Sequence, residues 1–251
     1  MTADLFDRYS RGAREAYARG MSCSVSDFSS EQLVVVERPA DKPWYVAYAA
    51  TFGTGTVLSI DPAYVEFIEA NRPEKHYRAM SASFLASFAA EGELRGQKLG
   101  FATASLCYTI AHEPPDVTLP DGFELREHDR EWMNAEMHNG RFENGAGALN
   151  DGGREFRNRF ALALHDATGE PAAVAGAFDT HGMLEIGIDV VRAHRGRGFG
   201  RLAVSAMARE IMRRGDVPFY GCAPTNIRSQ RTAASCGFRI VCADAVVWPS
   251  S

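Results

Sequence analysis

One short stretch of this sequence constrains the fold more than any other: Arg-Gly-Arg-Gly-Phe-Gly at residues 195–200. The apolar run before it predicts a strand that ends at Val191, and the pattern after it predicts a long helix. Glycine lets the backbone approach a ligand closely, and successive N–H groups of such a turn converge on one concavity. The N-terminus of a helix adds the positive end of its dipole. With arginines at 195, 197 and 201, the stretch predicts a site for a phosphate or pyrophosphate.

Two common phosphate-binding motifs do not fit this stretch. The Walker pattern G-x-x-x-x-G-K-[ST] requires a lysine after the glycines, and none follows them. The dinucleotide pattern G-x-G-x-x-G fails as well, because its last glycine would have to stand where the sequence has Arg201. The pattern that fits is R-x-x-G-x-G, formed by Arg195, Gly198 and Gly200, directly after the predicted strand.

A second motif lies downstream: Asn226-x-x-Ser229-x-x-x-Ala233-x-x-x-Gly237-Phe238. Together the two motifs resemble the signatures of the GNAT superfamily of acetyl-CoA-dependent N-acetyltransferases. In that superfamily the glycine loop grips the pyrophosphate of coenzyme A, and the second helix flanks the cofactor. Two signatures at the right separation are more specific than one glycine motif. The resemblance covers about residues 122–251, roughly half of the chain.

The resemblance implies that acetyl-CoA is a co-substrate and that no metal takes part. Strands 183–191 and 217–221 would splay apart, the thioester would lie in the gap, and an amine would attack it directly in a ternary complex. Backbone N–H groups near Val190 would hold the developing oxyanion. The residues implied to contact the coenzyme are Ile188, Val190, Val191, Arg195, Gly196, Arg197, Gly198, Phe199, Gly200, Arg201, Asn226 and Ser229.

Two residues are candidates for acid–base chemistry. The attacking amine must lose a proton, and Glu185 stands on the central strand where many members of the superfamily carry an acid. The alternative is a solvated or ion-paired strand carboxylate. Many members also have a tyrosine in the second helix that protonates the leaving thiolate, but Ala233 occupies that position here. The alternative proton donors are Tyr220, Ser229 and water. Of these, we include Tyr220 among the catalytic residues.

The order of predicted elements favours a mixed α/β fold, with a mostly antiparallel central sheet flanked by helices and an additional N-terminal α/β part. Two proline-containing breaks place a boundary near Thr118, between an accessory domain at 1–118 and a GNAT-like domain at 119–251. The predicted helices are 5–21, 62–70, 77–91, 129–137, 198–214 and 226–236, and the predicted strands are 33–37, 44–50, 56–60, 101–110, 123–126, 160–165, 171–178, 183–191, 217–221, 238–241 and 245–248.

Composition argues against several kinds of partner. The 251-residue chain has a formal net charge of −5, which repels phosphate backbones, so we expect no nucleic acid partner. No apolar run reaches the length of about 20 residues that spans a bilayer, and the N-terminus has no signal-peptide pattern. We therefore expect a cytoplasmic protein without membrane contact. The five scattered cysteines form neither a disulfide framework nor a zinc spacing, which predicts reduced thiols.

The acceptor and the N-terminal part leave alternatives open. Segment 127–155, which walls the acceptor site in the superfamily, has a modest acidic excess that fits a cationic amine, but a solvated helix face has the same composition. Five glycines within 139–153 predict a mobile lid. We expect acetyl transfer to a primary amine of a small molecule; the alternative is a non-catalytic module that senses coenzyme A or an acyl-CoA. The 1–118 part is open to being a degenerate second copy, a lid, or a dimerisation module that makes a homodimer.

Overall fold

A computed structural model of the protein describes residues 2–147 and 157–250. These residues form a mixed α/β fold in which mostly antiparallel strands are flanked by helices. Two compact units interleave along the chain. Unit 1 comprises Met1–Ser10, Tyr108–Gly221 and Ile227–Arg239, and unit 2 comprises Arg11–Cys107, Cys222–Asn226 and Ile240–Ser251. The domain boundary near Thr118, which would separate two independently folding parts of the chain, stays a prediction.

The regular elements follow the predicted order. The α-helices of the described residues are α1 (Thr2–Met21), α2 (Val65–Ala70), α3 (Ala82–Leu94), α4 (Arg130–His138), α5 (Phe199–Arg213) and α6 (Ile227–Ser235). The strands are β1 (Leu33–Glu37), β2 (Ala47–Thr51), β3 (Thr56–Ile60), β4 (Leu99–Ile110), β5 (Glu124–Asp129), β6 (Asn158–His165), β7 (Pro171–Thr180), β8 (Met183–Val190), β9 (Pro218–Cys222) and β10 (Phe238–Pro249).

Three predicted elements are divided or joined differently in the structure. The predicted helix 62–70 consists of a 3₁₀ turn, Pro62–Tyr64, followed by α2. The predicted helix 77–91 is divided into a 3₁₀ turn, His76–Met80, and α3, because the Ser81 side chain accepts a hydrogen bond from the Phe84 N–H and starts a new helix. The two strands predicted at the C-terminus are one continuous strand, β10. Its residues 243–247 pair with β2, which keeps the backbone extended through the predicted break.

In unit 1 the strands lie in the order β5–β6–β7–β8–β9. The first four form an antiparallel meander, whereas β8 and β9 are parallel and are connected through α5. The β7–β8 hairpin turns at His181 and Gly182, both of which have positive φ values of 55° and 85°. Such a pair of left-handed residues is typical of a tight hairpin whose twist matches that of its strands.

The two faces of β8 carry different elements, because side chains alternate along a strand. Val190 lies on the face covered by α5, since a Cβ atom added at Gly200 would stand 3.6 Å from its Cγ2 atom. Gly187, an odd number of residues away, lies on the other face. That face packs against α4 through a cluster of Met133, Ala161, Ala163, Val174 and Phe178.

In unit 2 the strands lie in the order β1–β3–β2–β10–β4. Strands β1 and β3 are parallel, and β2 is antiparallel to both β3 and β10. Leu58, Ile60, Ile68, Phe88 and other apolar residues form its core. Tyr17 and Tyr48 each donate a hydrogen bond of 2.7 Å to Asp244 Oδ2, and burial raises the pKa of both hydroxyls well above the usual value.

Two further expectations concern cysteines and membranes. All five cysteines are free thiols, as the sequence predicts. Among residues 2–147 and 157–250, no helix combines the length and the apolar character needed to cross a bilayer.

Gly237 provides a test of backbone packing in unit 1. Its φ is +88°, and a Cβ atom there would lie 2.4 Å from the His112 carbonyl oxygen. Gly215 has a nearly equal φ of +85° but open space around it, so it serves as the matched control. We expect Gly215→Ala to cost about 1 kcal/mol of unfolding free energy from φ alone. Gly237→Ala should cost about 1–3 kcal/mol more, because the carbonyl must also move. Equal midpoints and slopes in urea unfolding of the two variants would contradict this packing.

Candidate functional site

The glycine-rich loop of unit 1 connects β8 to α5. A 3₁₀ turn, Arg192–His194, follows the strand, and Gly198 is the N-cap of α5. Gly196 and Gly198 have φ values of +79° and +82°, and nothing lies within 4 Å of where their Cβ atoms would be. The backbone conformation therefore favours glycine at both positions, and the space beside them is open.

The start of α5 presents unpaired backbone donors. Leu202 N–H donates to the Gly198 carbonyl at 3.0 Å, as the first i to i−4 bond of the helix. The N–H groups before Leu202 therefore have no i−4 partner within the helix. Together with the helix dipole, these groups make the loop suited to a phosphate oxygen. Arg201 lies exposed in the first turn and adds a positive charge.

The other two arginines of the motif are held by contacts within the loop. Arg195 Nε donates to the Val190 carbonyl at 3.0 Å, which fixes the loop against the end of β8. The Arg197 guanidinium lies 4.8 Å from the ring centre of Phe199 and 5.3 Å from that of Phe123. These cation–π contacts, together with a hydrogen bond of 3.1 Å between Arg197 Nη1 and His194 Nδ1, fix the side chain within the loop. The loop is therefore held in place by contacts of its own side chains.

Strands β8 and β9 are paired over only a short stretch. Leu184 is in register with Pro218 and Glu185 with Phe219, and no pairing is observed further along β8. Leu184 N–H donates towards β9, to the Val217 carbonyl at 3.0 Å, and Val191 N–H donates towards β7, to the Ala172 carbonyl at 2.9 Å. Because N–H directions alternate along a strand, the N–H groups of Ile188 and Val190 point towards β9, into the gap. This agrees with the predicted splay.

Glu185 lies at the point where the two strands part. One carboxylate oxygen, Oε2, accepts a hydrogen bond of 2.8 Å from the Thr180 hydroxyl and lies 3.4 Å from Arg157 Nη2. The other oxygen, Oε1, would lie 2.9 Å from a Cβ atom at Gly221, on the far side of the split. The side chain is 28% exposed. The carboxylate is thus ion-paired through one oxygen while the other reaches across the opening of the gap.

Tyr220 and Ser229 are brought together beside the gap. Their side-chain oxygens are 2.7 Å apart, and the Tyr220 ring is buried against Tyr108 and Phe238. Ala233, on the same helix as Ser229, is fully buried. Asn226 directly precedes α6, and its N–H donates to the Ala223 carbonyl at 2.9 Å.

Helix α6 is attached to the first turn of α5. The Cys236 thiol donates to the Arg201 carbonyl at 3.4 Å, and burial raises the pKa of this thiol. The thiol is therefore a structural contact rather than a nucleophile. Through it, the helix of the second sequence motif is fixed to the helix that begins at the glycine loop.

Sequence reasoning missed a close contact on the other face of β8. Gly176 and Gly187 are paired in register on β7 and β8. A Cβ atom at Gly176 would meet the Gly145 carbonyl oxygen, and one at Gly187 would meet that of Asn144, both closer than 2 Å. A glycine within a strand often marks such a close backbone approach, so Gly176 and Gly187 were the sequence features that could have predicted this contact.

The lid predicted at 139–153 is only partly within the described residues. Within its described part, which ends at Gly147, Asp189 accepts backbone hydrogen bonds from Asn144 at 2.7 Å and Gly145 at 3.0 Å. The lid stays a prediction. Residues 148–153 lie outside the described part of the chain.

No metal centre is found in what the structure describes. Residues 2–147 and 157–250 contain no group of three or more histidine, cysteine, aspartate or glutamate side chains placed to hold a metal ion.

Comparison with known proteins gives a family match for this part of the chain. Residues 123–239 match the model of the acetyltransferase (GNAT) domain. No curated protein matches the chain.

Solved structures resemble the chain in fold. A Drosophila protein is 18% identical over 82% of this chain and 75% of its own, with a TM-score of 0.53. A GCN5-related N-acetyltransferase from Kribbella flavida is 13% identical over 96% and 95%, with a TM-score of 0.48. Another, from Sphaerobacter thermophilus, is 15% identical over 80% and 75%, with a TM-score of 0.45. At such low identity, the likeness to the Drosophila protein concerns the fold alone.

The loop can be tested with the same substitution at the two ends of α5. Gly198→Asp places a carboxylate where the open space and the helix N-terminus favour an anion, so acetyl-CoA should bind at least about ten-fold more weakly. Gly215→Asp, at the C-terminal end of the helix, has a similar positive φ and open surroundings and is the control. Aspartate is among the residues that best tolerate this backbone region. Calorimetric titration in which both variants bind acetyl-CoA like the wild type would contradict the assignment.

Proposed function

Residues 123–239 belong to the acetyltransferase (GNAT) family, and from this premise we propose that the protein transfers the acetyl group of acetyl-CoA to a primary amine of a small molecule. The observation that carries the proposal is the gap between β8 and β9. The N–H groups of Ile188 and Val190 point into it, directly before the glycine-rich loop that leads into α5.

The coenzyme would bind along β8 and the loop. Its pyrophosphate would accept hydrogen bonds from the loop and the first turn of α5, where Gly196 and Gly198 leave open space. Its pantetheine amides would pair with the free backbone groups of β8, as an added strand pairs with a sheet edge. The thioester carbonyl would then receive the N–H of Ile188 or Val190. A fixed N–H donor stabilises the oxyanion that develops when the amine attacks.

Glu185 is the proposed acceptor of the amine proton. It stands at the opening of the gap with Oε1 turned towards Gly221, while Thr180 and Arg157 hold Oε2 in place. A carboxylate held in this way can remove the proton directly or through one water molecule. The free amine then attacks the thioester carbon, the tetrahedral intermediate collapses, and the coenzyme A thiolate leaves.

The Tyr220–Ser229 pair is the proposed source of a proton for the thiolate. Ala233 cannot supply one, whereas the two hydroxyls share a hydrogen bond of 2.7 Å at the strand that borders the gap. A thiol has a pKa near about 8.5, so the thiolate is a tolerable leaving group and the donor need contribute only modestly. We also place the protein in the cytoplasm, where five free thiols stay reduced.

A sensor of coenzyme A or an acyl-CoA is the second candidate. The specific observation that favours it is Ala233, which is buried where many family members have a tyrosine. The deciding experiment measures thiol release from acetyl-CoA across a panel of polyamines, amino acid amides, aminoglycosides and peptides. Release that depends on one group of small amines supports the transferase. Tight acetyl-CoA binding with no release by any amine would favour the sensor.

Glu185→Gln tests the proposed base. It keeps the side chain's shape and removes its charge, so kcat should fall by about 10²–10⁴-fold while acetyl-CoA affinity is kept. Glu91→Gln is the matched control, because Glu91 is also paired with an arginine, Arg95 at 2.6 Å, but lies in unit 2. A kcat for Glu185→Gln within two-fold of the wild type across the pH profile would remove Glu185 from the mechanism.

Tyr220→Phe tests the proposed acid and has its own control. The variant removes the phenol, whereas Ser229→Ala removes its partner and leaves the phenol in place. We expect Tyr220→Phe to lower kcat by about ten-fold, near the low end of general acid catalysis, and Ser229→Ala to have a smaller effect. An unchanged kcat for Tyr220→Phe would make water the donor.

A further inference from the structure

Asp189 has a side chain that is fully engaged by another segment of unit 1. Its Oδ2 accepts the backbone N–H of Asn144 at 2.7 Å and that of Gly145 at 3.0 Å. Its Oδ1 accepts the Asn144 side-chain amide at 2.9 Å. Hydrogen bonds to an ionised acceptor are stronger than those between neutral groups. One carboxylate thus holds two consecutive residues of a loop that is 45 positions away in sequence.

The held segment lies directly on the sheet. The carbonyl oxygens of Asn144 and Gly145 occupy the places that side chains would fill at Gly187 and Gly176. A Cβ atom at Gly145 would itself meet the Val174 carbonyl oxygen at 2.6 Å. The three glycines therefore allow the backbone of this segment to pack directly on the backbone of the sheet. On β8, the Asp189 side chain is the group that accepts hydrogen bonds from the N–H groups of the segment.

This segment lies beside the proposed chemistry. Gly187 is two residues from Glu185 on the same face of β8, a separation of about 6–7 Å. The segment over Gly187 therefore borders the space in front of Glu185, through which an acceptor amine must reach the gap. Asp189 itself lies between Ile188 and Val190, whose N–H groups face the gap on the coenzyme side.

We propose that Asp189 is a positioning residue, which fixes the Asn144–Gly145 segment as a rigid wall of the acceptor site. This inference rests on the proposed function. Because the wall is held by β8 itself, it keeps a constant distance from the strand that binds the coenzyme. Asp189 then determines how well an acceptor is placed and has no part in holding the coenzyme.

The test compares Asp189→Leu with Asp189→Asn. Leucine has a similar size but accepts no hydrogen bond. Asparagine can still accept from the two backbone N–H groups through its oxygen, and it can pair with Asn144 after that amide turns over. We expect Asp189→Leu to raise the KM of the best small amine of the panel by about ten-fold or more, with the acetyl-CoA Kd within two-fold. Asp189→Asn should restore the KM to within about three-fold of the wild type.

Asn144→Ala covers the possibility that Asp189→Leu does not fold. This variant removes one of the three hydrogen bonds to Asp189 and keeps the two from the backbone. The KM of the acceptor should therefore rise less than in Asp189→Leu, and the acetyl-CoA Kd should again stay unchanged. Equal weakening of acceptor and acetyl-CoA, or no change in either, would overturn the proposal. An Asp189→Asn variant as impaired as Asp189→Leu would also overturn it, because charge rather than hydrogen bonding would then be responsible.

Amide hydrogen exchange separates this proposal from the proposed function. In the wild type the Asn144 and Gly145 amides should be protected, and Asp189→Leu should expose them while the strand amides stay protected. Equal exchange in both proteins would show that Asp189 does not hold the segment. If the amides are protected but the wild-type protein acetylates no amine, the proposed function is refuted, and with it the role of Asp189 in placing an acceptor. The hydrogen bonds from Asn144 and Gly145 to Asp189 would still be supported.

Discussion

The site depends on the loss of pairing between two parallel strands. Backbone N–H and C=O groups inside a protein need partners, and a sheet normally supplies them from the neighbouring strand. Beyond Glu185 and Phe219, β9 no longer pairs with β8. The N–H groups of Ile188 and Val190 are then turned towards a gap instead of a strand. A ligand with amide and carbonyl groups of its own is the natural occupant of such a gap.

The two faces of β8 contact different elements of unit 1. On one face Val190 packs near the first turn of α5, so the end of the strand and the anion loop form one continuous surface. On the other face the Asn144–Gly145 segment rests on Gly176 and Gly187 and is held by Asp189. In the proposed function, β8 thus positions the coenzyme with its backbone and the Asn144–Gly145 segment with the Asp189 side chain. A shift of β8 would disturb both, which explains why both faces are packed against other elements.

The sequence predicted the strand, loop and helix of the R-x-x-G-x-G motif well, but it did not predict the contact of Asn144 with β8. The R-x-x-G-x-G loop is a local pattern, because strand, turn and helix follow one another directly within residues 183–213. The predicted bounds of α5 differ from the observed ones by one residue at each end. The contact of Asn144 with Gly187 joins segments far apart in sequence, so no periodicity reveals it. Five glycines predicted mobility at 139–153, and one of them, Gly145, packs closely on β7, where a Cβ atom would meet the Val174 carbonyl oxygen at 2.6 Å. The continuous β10 was missed because pairing with β2 overrides local sequence preference.

Residue-resolved amide exchange with and without acetyl-CoA tests whether the coenzyme lies in the gap between β8 and β9. Leu184 and Val191 already donate to neighbouring strands and serve as internal references that should not change. We predict that acetyl-CoA slows exchange at Ile188, Val190 and the first turn of α5. Coenzyme binding that leaves the Ile188 and Val190 amides exchanging as in the free protein would contradict the account, because the gap between β8 and β9 would then not be the place where the coenzyme lies.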